Sequence, residues 1–263
     1  MSTAPHVPYR LEFSVEVPGT PEQVWEAIAT GKGLSAWFLP AEIEEREGGA
    51  LHFAMGPEMG SDGHVTGWEP PHRLVYEEDW AALMGQDPDA LSPMTSEFVV
   101  EARSGGTCVV RVTTSGFGTG ADWEQEWWDD MGVNWTPQFD VLRLYLAQFP
   151  GQEATRLEVT ASHPGDVETL WSALRDGLGL HDEGASVDVR GTTGVVERIG
   201  DRHALVRLTG PVPGMLSAFA YGQDEGAVAV GVRLFLFSAD AAEHARREEP
   251  AWQAWLDGLV VPA

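Results

Sequence analysis

Residues 18–34 read PGTPEQVWEAIATGKGL and residues 164–180 read PGDVETLWSALRDGLGL. Laid against each other without a gap, they are identical at eight of seventeen positions: Pro18, Gly19, Glu22, Trp25, Ala27, Gly31, Gly33 and Leu34 meet Pro164, Gly165, Glu168, Trp171, Ala173, Gly177, Gly179 and Leu180. In the first stretch Thr20, Pro21 and Glu22 supply a cap, a first-turn proline and a first-turn acid. Val24, Trp25 and Ile28 then recur at helical spacing until Gly31 and Gly33 stop the helix. Leu34 to Phe38 reads as one more turn. A stretch repeated with the same grammar marks an internal duplication.

The flanking residues follow the same plan. Before the first copy, Leu11, Phe13, Val15 and Val17 alternate with polar residues, the period of a half-buried strand, and residues 156–161 play that part before the second. After the first copy, short alternating runs predict an antiparallel meander with strands near 41–47, 50–55, 63–69, 73–80, 95–103 and 107–115. Glu47-Gly48-Gly49 and Ser104-Gly105-Gly106 are its hairpin turns, and 81–93 is a loop. A long helix capped by Asp122 runs through Trp127, Trp128, Met131, Trp135, Phe139, Leu142 and Leu146 to about Phe149. Pro137 inside it predicts a kink, or a restart with Thr136 as cap. Past the linker Pro150-Gly151-Gln152, the second copy shows strands near 186–190, 193–199, 203–209, 216–222 and 227–237, then a helix over 239–259. It is shorter, and has lost a hairpin or the second small helix. The fold class is α+β, with domains at 1–150 and 155–263.

The order strand, helix pair, meander, long helix resembles the START-like or SRPBCC superfamily, the helix-grip or Bet v 1-like fold. Particular residues narrow the likeness: Val15-Glu16-Val17-Pro18, Thr20 to Trp25, Leu34 through Trp37-Phe38, and Gly67-Trp68-Glu69-Pro70-Pro71-His72-Arg73-Leu74-Val75-Tyr76. These resemble the branch named after the activator of the heat-shock protein 90 ATPase, as does Gly132 to Trp135 leading into the closing helix. The resemblance covers residues 9–149 and only faintly the rest. It implies a curved antiparallel sheet around a long C-terminal helix with a cavity between them, duplicated here with a shortened second copy. Family members bind lipids, sterols, hormones or polyketides in that cavity, some are cyclases or hydrolases, and many bacterial members of this branch have no established ligand.

Composition narrows the partners. With 16 basic and 41 acidic residues the formal charge is -25, which repels phosphate backbones and anionic membrane surfaces, so nucleic acid is not expected as a partner. Nor is membrane insertion, since no run approaches the roughly 20 apolar residues that span a bilayer. The acidic residues read chiefly as a solvated surface. Cys108 is the only cysteine, which excludes an intramolecular disulfide and a cysteine-rich zinc site. The opening MSTAPHVPYR has no apolar signal core, and a cytoplasmic location is the expectation.

The 11 tryptophans are many for this length and must line something. Trp25 and Trp171 recur in the duplication and are read as structural. Trp37, Phe53, Met55, Trp68, Trp80, Phe98, Trp127, Trp128, Met131, Trp135 and Phe139 are the candidates to line the cavity, joined by His64, Arg73 and Tyr76 as polar anchors on strands. Arg111 is a weaker strand candidate. The same spacing is what core packing alone produces. Asp122, Glu124, Glu126, Asp129 and Asp130 sit at a helix start, where capping and the helix dipole explain them without a metal. No nucleophile elbow, His-Glu-x-x-His or phosphate loop is present, so no catalytic residue, metal or cofactor is assigned. The leading expectation is an apolar or aromatic small molecule bound in the first domain, with the second copy as support or lid. The alternatives are a cyclase, dehydratase or hydrolase on a polyketide-like substrate, and a chaperone-associated binding module. A homodimer or a chaperone contact stays open.

Overall fold

The computed structural model describes residues 7–56, 59–85, 91–223 and 226–259. Its backbone divides into two compact units, Met1–Gln152 and Glu153–Ala263. In the first, β1 (Val7–Pro18) is followed by α1 (Pro21–Ala29), α2 (Gly31–Ser35), β2 (Ala41–Ile43), β3 (Ala50–Ala54), β4 (Gly60–Glu69), β5 (Arg73–Glu78), α3 (Trp80–Leu83), β6 (Met94–Arg103), β7 (Thr107–Gly118) and α4 (Asp122–Gln148). Among the described residues the strands form one antiparallel sheet of order β1-β7-β6-β5-β4-β3-β2, with α4 over its inner face.

The quoted stretch explains its own geometry. Gln23 N–H donates to Thr20 Oγ1 at 3.4 Å while Thr20 N–H donates to Gln23 Oε1 at 2.9 Å, a reciprocal capping box that starts α1 beside Pro21. Thr30 ends it. Its hydroxyl donates to the Glu26 carbonyl at 2.8 Å and accepts from Gly33 N–H at 3.0 Å, so one side chain closes α1 and opens α2.

Sequence alternation decides which faces turn inward. On β6, Met94, Ser96, Phe98 and Val100 are buried, with the intervening residues less so. On β4 a register shift between Val65 and Gly67 inserts one extra residue, so that Val65 opposes Tyr76 and Trp68 opposes Leu74. Without that bulge Trp68 would share the outward parity of His64.

Several boundaries differ from the sequence reading. β2 stops at Ile43 because Glu44 to Gly49 form a turn, in which Glu44 N–H donates to Ala50 O and Gly49 N–H to Arg46 O. The segment read as a loop from Ala81 opens with the helical turn α3. The cap of α4 is not Asp122, which already lies inside the helix. Ala121 stands at the cap position and no side chain caps the helix; the Glu124 carboxylate in its first turn instead ties down the preceding segment, accepting from Thr119 N–H at 2.9 Å, Gly120 N–H at 2.8 Å and Tyr9 Oη at 3.1 Å. α4 then runs unbroken through Pro137, so Thr136 starts no new helix.

The second unit repeats the plan with β8 (Thr155–Pro164), α5 (Val167–Leu178), β9 (Ser186–Val189), β10 (Thr192–Ile199), β11 (His203–Gly210), β12 (Gly214–Gly222), β13 (Ala227–Leu236) and α6 (Ala241–Asp257). Its sheet order is β8-β13-β12-β11-β10-β9, one strand fewer among the described residues. The second small helix is absent because α5 continues across the break that Thr30 makes in the first copy, Asp176 standing at that position. The fold is a duplicated helix grip with a shortened second copy.

The shared glycines serve different ends. Gly179 is a left-handed C-cap at φ 71°, a conformation that favours glycine. A Cβ on Gly33 would instead collide with the Glu26 carbonyl oxygen and come within 2.9 Å of Ala27 Cα, backbone that cannot move aside. Gly33→Ala is therefore expected to lower stability by about 1–3 kcal/mol in urea unfolding.

Candidate functional site

Between the inner face of the first sheet and α4 lies a cavity of about 200 Å³. An engineered apolar cavity of roughly 150 Å³ accepts benzene, so this one has room for a somewhat larger ring system. The sheet contributes Phe53 from β3 with Met55 just past its end, Ser61 from β4, Tyr76 and Glu78 from β5, Met94 and Ser96 from β6 and Thr114 from β7. Phe38, Leu39 and Trp80 line it from the connections, and α4 lays Trp127, Met131, Trp135 and Gln138 across it at helical spacing.

The aromatic walls are mutually packed. Trp80 and Trp127 stack at 4.9 Å, Phe38 and Trp135 at 5.3 Å, and Phe53 lies 5.9 Å from Tyr76. Thus Phe53, Met55, Tyr76, Trp80, Trp127, Met131 and Trp135 from the sequence reading meet around one space. Four others sit behind it. Trp37 donates Nε1–H to the Ala27 carbonyl at 2.9 Å, Phe98 stacks on Tyr76 at 6.0 Å, Trp128 on Tyr9 at 5.5 Å and Phe139 on Trp135 at 5.3 Å. Trp68 packs edge-on against Trp25, at 5.0 Å.

The two charged anchors face the other way. His64 is mostly exposed and lies 3.8 Å from Glu77, while Arg73 donates to Glu97 at 2.7 Å and Glu69 at 2.8 Å on the outer face. On β5 the inward residues are Leu74, Tyr76 and Glu78, which leaves Arg73 the opposite parity. Arg111 likewise faces outward and pairs with Glu101 at 3.1 Å.

Of the three polar anchors only Tyr76 enters the cavity, and the other polar groups that line it were absent from the sequence reading: Ser61, Glu78, Ser96, Thr114 and Gln138. Glu78 was legible from the Leu74-x-Tyr76-x-Glu78 alternation, but a glutamate at the end of a strand reads as solvated. Glu78 is only 6% exposed, and burial raises its carboxyl from the ordinary 4.5 to about 7. The Ser61 hydroxyl tempers that rise without completing a hydrogen bond of normal geometry, and its oxygen has no other partner. Gln138 Oε1 is likewise buried and unpartnered. Ser96 and Thr114 satisfy each other at 3.2 Å. Burial and the neighbouring Glu78 charge push the Tyr76 phenol well above 10, so it stays protonated. The site can therefore hold rings on its walls and offer polar partners at its sheet side.

This architecture defines a helix-grip domain of the START-like, SRPBCC class, built around an aromatic cavity. The sequence pattern of the family described as "Activator of Hsp90 ATPase homolog 1-like protein" matches residues 18–147, and the first domain belongs to that family. No curated protein matches the chain significantly. Among solved structures, the di-domain ARO/CYC BexL from the BE-7585A biosynthetic pathway is 14% identical over 97% of this chain and 99% of its own, with a TM-score of 0.44. The protein MLL2253 from Mesorhizobium loti is 19% identical over 54% of this chain and 98% of its own, at 0.47. The Aha1 dimer from Colwellia psychrerythraea is 19% identical over 52% and 96%, at 0.43. No helix among the described residues is long and apolar enough to cross a membrane.

Glu78 ties stability to pH. An acid whose pKa is raised by folding leaves the folded state most stable below the unfolded value, and that stability drains away as pH rises from 4.5 through about 7. The shift is worth about 3 kcal/mol at its limit. Glu78→Gln is expected to abolish this component, so that denaturation measured at pH 8 shows the variant more stable than the wild type and at pH 5 shows little difference.

Proposed function

We propose that the first domain binds an apolar, aromatic small molecule in the cavity between its sheet and α4. The supporting observation is that aromatic and methionine side chains from sheet and helix converge without filling the space between them. Voids of this size are few in packed interiors, because each lining atom loses contacts. Methionines Met55, Met94 and Met131 add walls that adapt to shape.

A second reading, acid–base catalysis on a polyketide-like substrate, draws on one observation. A carboxyl that titrates near 7 inside a cavity suits proton transfer at neutral pH better than an exposed glutamate does. Mass spectrometry of small molecules carried through native purification tests both readings at once, since it identifies a retained ligand, and a dehydrated or hydrolysed product differs in mass from its substrate.

The binding reading has a direct measurement. Titration with 1-methylnaphthalene should quench tryptophan emission saturably, because Trp80, Trp127 and Trp135 line the cavity. Met131→Trp, which pushes a larger side chain into that space, should weaken binding at least about tenfold, or roughly 1.4 kcal/mol. His64→Ala, outside the cavity, should leave it unchanged. Absence of quenching and of thermal stabilisation across a broad apolar panel would sink the proposal.

A further inference from the structure

We propose that the cavity selects an aromatic compound carrying a protonated amine, with the ammonium against the Glu78 carboxylate and the rings among the indoles. This rests on the cavity being a ligand site, and goes on to name the ligand's charge and chemistry.

Three observations point the same way. First, Glu78 is an acid with no basic companion: among the described residues lining the cavity there is no Lys, Arg or His. A buried carboxylate needs a compensating charge, and here the ligand is left to bring it. Second, the two unpartnered buried polar atoms that line the cavity can both accept a hydrogen bond, whereas the third among the described residues, the Trp128 Nε1–H donor, does not line it. Ser61 Oγ and Gln138 Oε1 lack hydrogen-bond partners and, with Glu78, line the same cavity. An ammonium carries three donors and no acceptor. Third, the rings of Trp80, Trp127, Trp135 and Tyr76 line the cavity, and aromatic π systems are electron-rich at their faces and attract cations. A carboxylate ligand would meet like charge at Glu78 and the same negative faces. A neutral alcohol would gain hydrogen bonds but neither charge term.

The pairing makes binding depend on pH. Glu78 faces Tyr76 from its own strand, and the groups that β4, β6, β7, α3 and α4 turn toward the cavity are uncharged. Among the described residues lining the cavity, Glu78 is thus the one group that titrates near neutrality, at about 7 in the free protein. An adjacent cation favours its charged form, so binding the amine expels the proton. Below pH 7 the amine's affinity should fall by up to about tenfold per pH unit.

Isothermal titration of the full chain with three molecules of one shape provides the test: 1-naphthylmethylamine, 1-naphthalenemethanol and 1-naphthoic acid. At pH 8 the amine should bind at least about tenfold tighter than the alcohol, and the acid most weakly. The amine's lead should shrink toward pH 6, and Glu78→Gln should bring amine and alcohol level. If the alcohol or the acid binds as well as the amine in the wild type, the amine proposal is wrong while the cavity still stands as a ligand site. If none of the three binds, both fail. The ranking is read on the wild type, so a Glu78→Gln chain that did not fold would leave the test decisive.

Discussion

Trp135 is the contact on which the first domain's interior depends. Its ring lies 5.3 Å from Phe38, 5.3 Å from Phe139, 6.2 Å from Phe98 and 6.1 Å from Phe13, so one side chain of α4 touches β1, β6 and the segment after α2. A helix held at such a point has its rotation set. Met131 and Trp127 lie one and two turns back toward the N-terminus on the same face, and that places them over the cavity instead of in solvent. Toward the other end, Leu142 and Tyr145 are fully buried, so the C-terminal half of α4 is ordinary core. The cavity exists because the face that closes the core at one end is propped open by large rings at the other.

Within that space the polar groups are costly. A buried carboxyl that titrates near 7 and two unpartnered polar atoms each work against folding, the latter by about 1–3 kcal/mol apiece. Leucine or valine at these positions would suit stability better. Another buried acid of the same domain is fully satisfied: Glu124 accepts four hydrogen bonds and is held below the usual carboxylate range despite its desolvation. The contrast between two buried glutamates, one saturated and one open, is what separates a structural acid from a candidate ligand group.

The duplication is conserved in plan and divergent in chemistry. Trp25 packs against Trp68 in the first copy, while Trp171 donates its Nε1–H to the Gly200 carbonyl at 3.2 Å in the second. The second unit's core is mainly aliphatic, built on residues such as Leu170, Leu174, Val206 and Val230 with Trp171 and Trp252 among them, where the first unit's cavity is mainly aromatic. Identical letters in the two helix motifs thus mark equivalent positions without marking equivalent work.

Much of the fold was legible along the chain because it is written in local terms. The cap at Thr20, the period of two on β1 and β6 and the turn glycines each depend on residues a few positions apart, and the repeat is that local grammar written twice, at 18–34 and 164–180. The aromatic half of the cavity was legible too, since large apolar rings on facing elements have few other places to go. What the tertiary structure alone decided was parity and partnership. A single inserted residue in β4 reassigns inside and outside for Trp68, and the face chosen by β5 sends Arg73 to Glu97 and Glu78 into the interior. A charged residue's bias toward solvent is a statistical preference of a fraction of its kind, whereas strand pleat is a geometric rule that carries every second side chain inward whatever its charge. That is why the sequence by itself determined a duplicated helix grip with an aromatic interior, and only the packed sheet determined that its acid is Glu78.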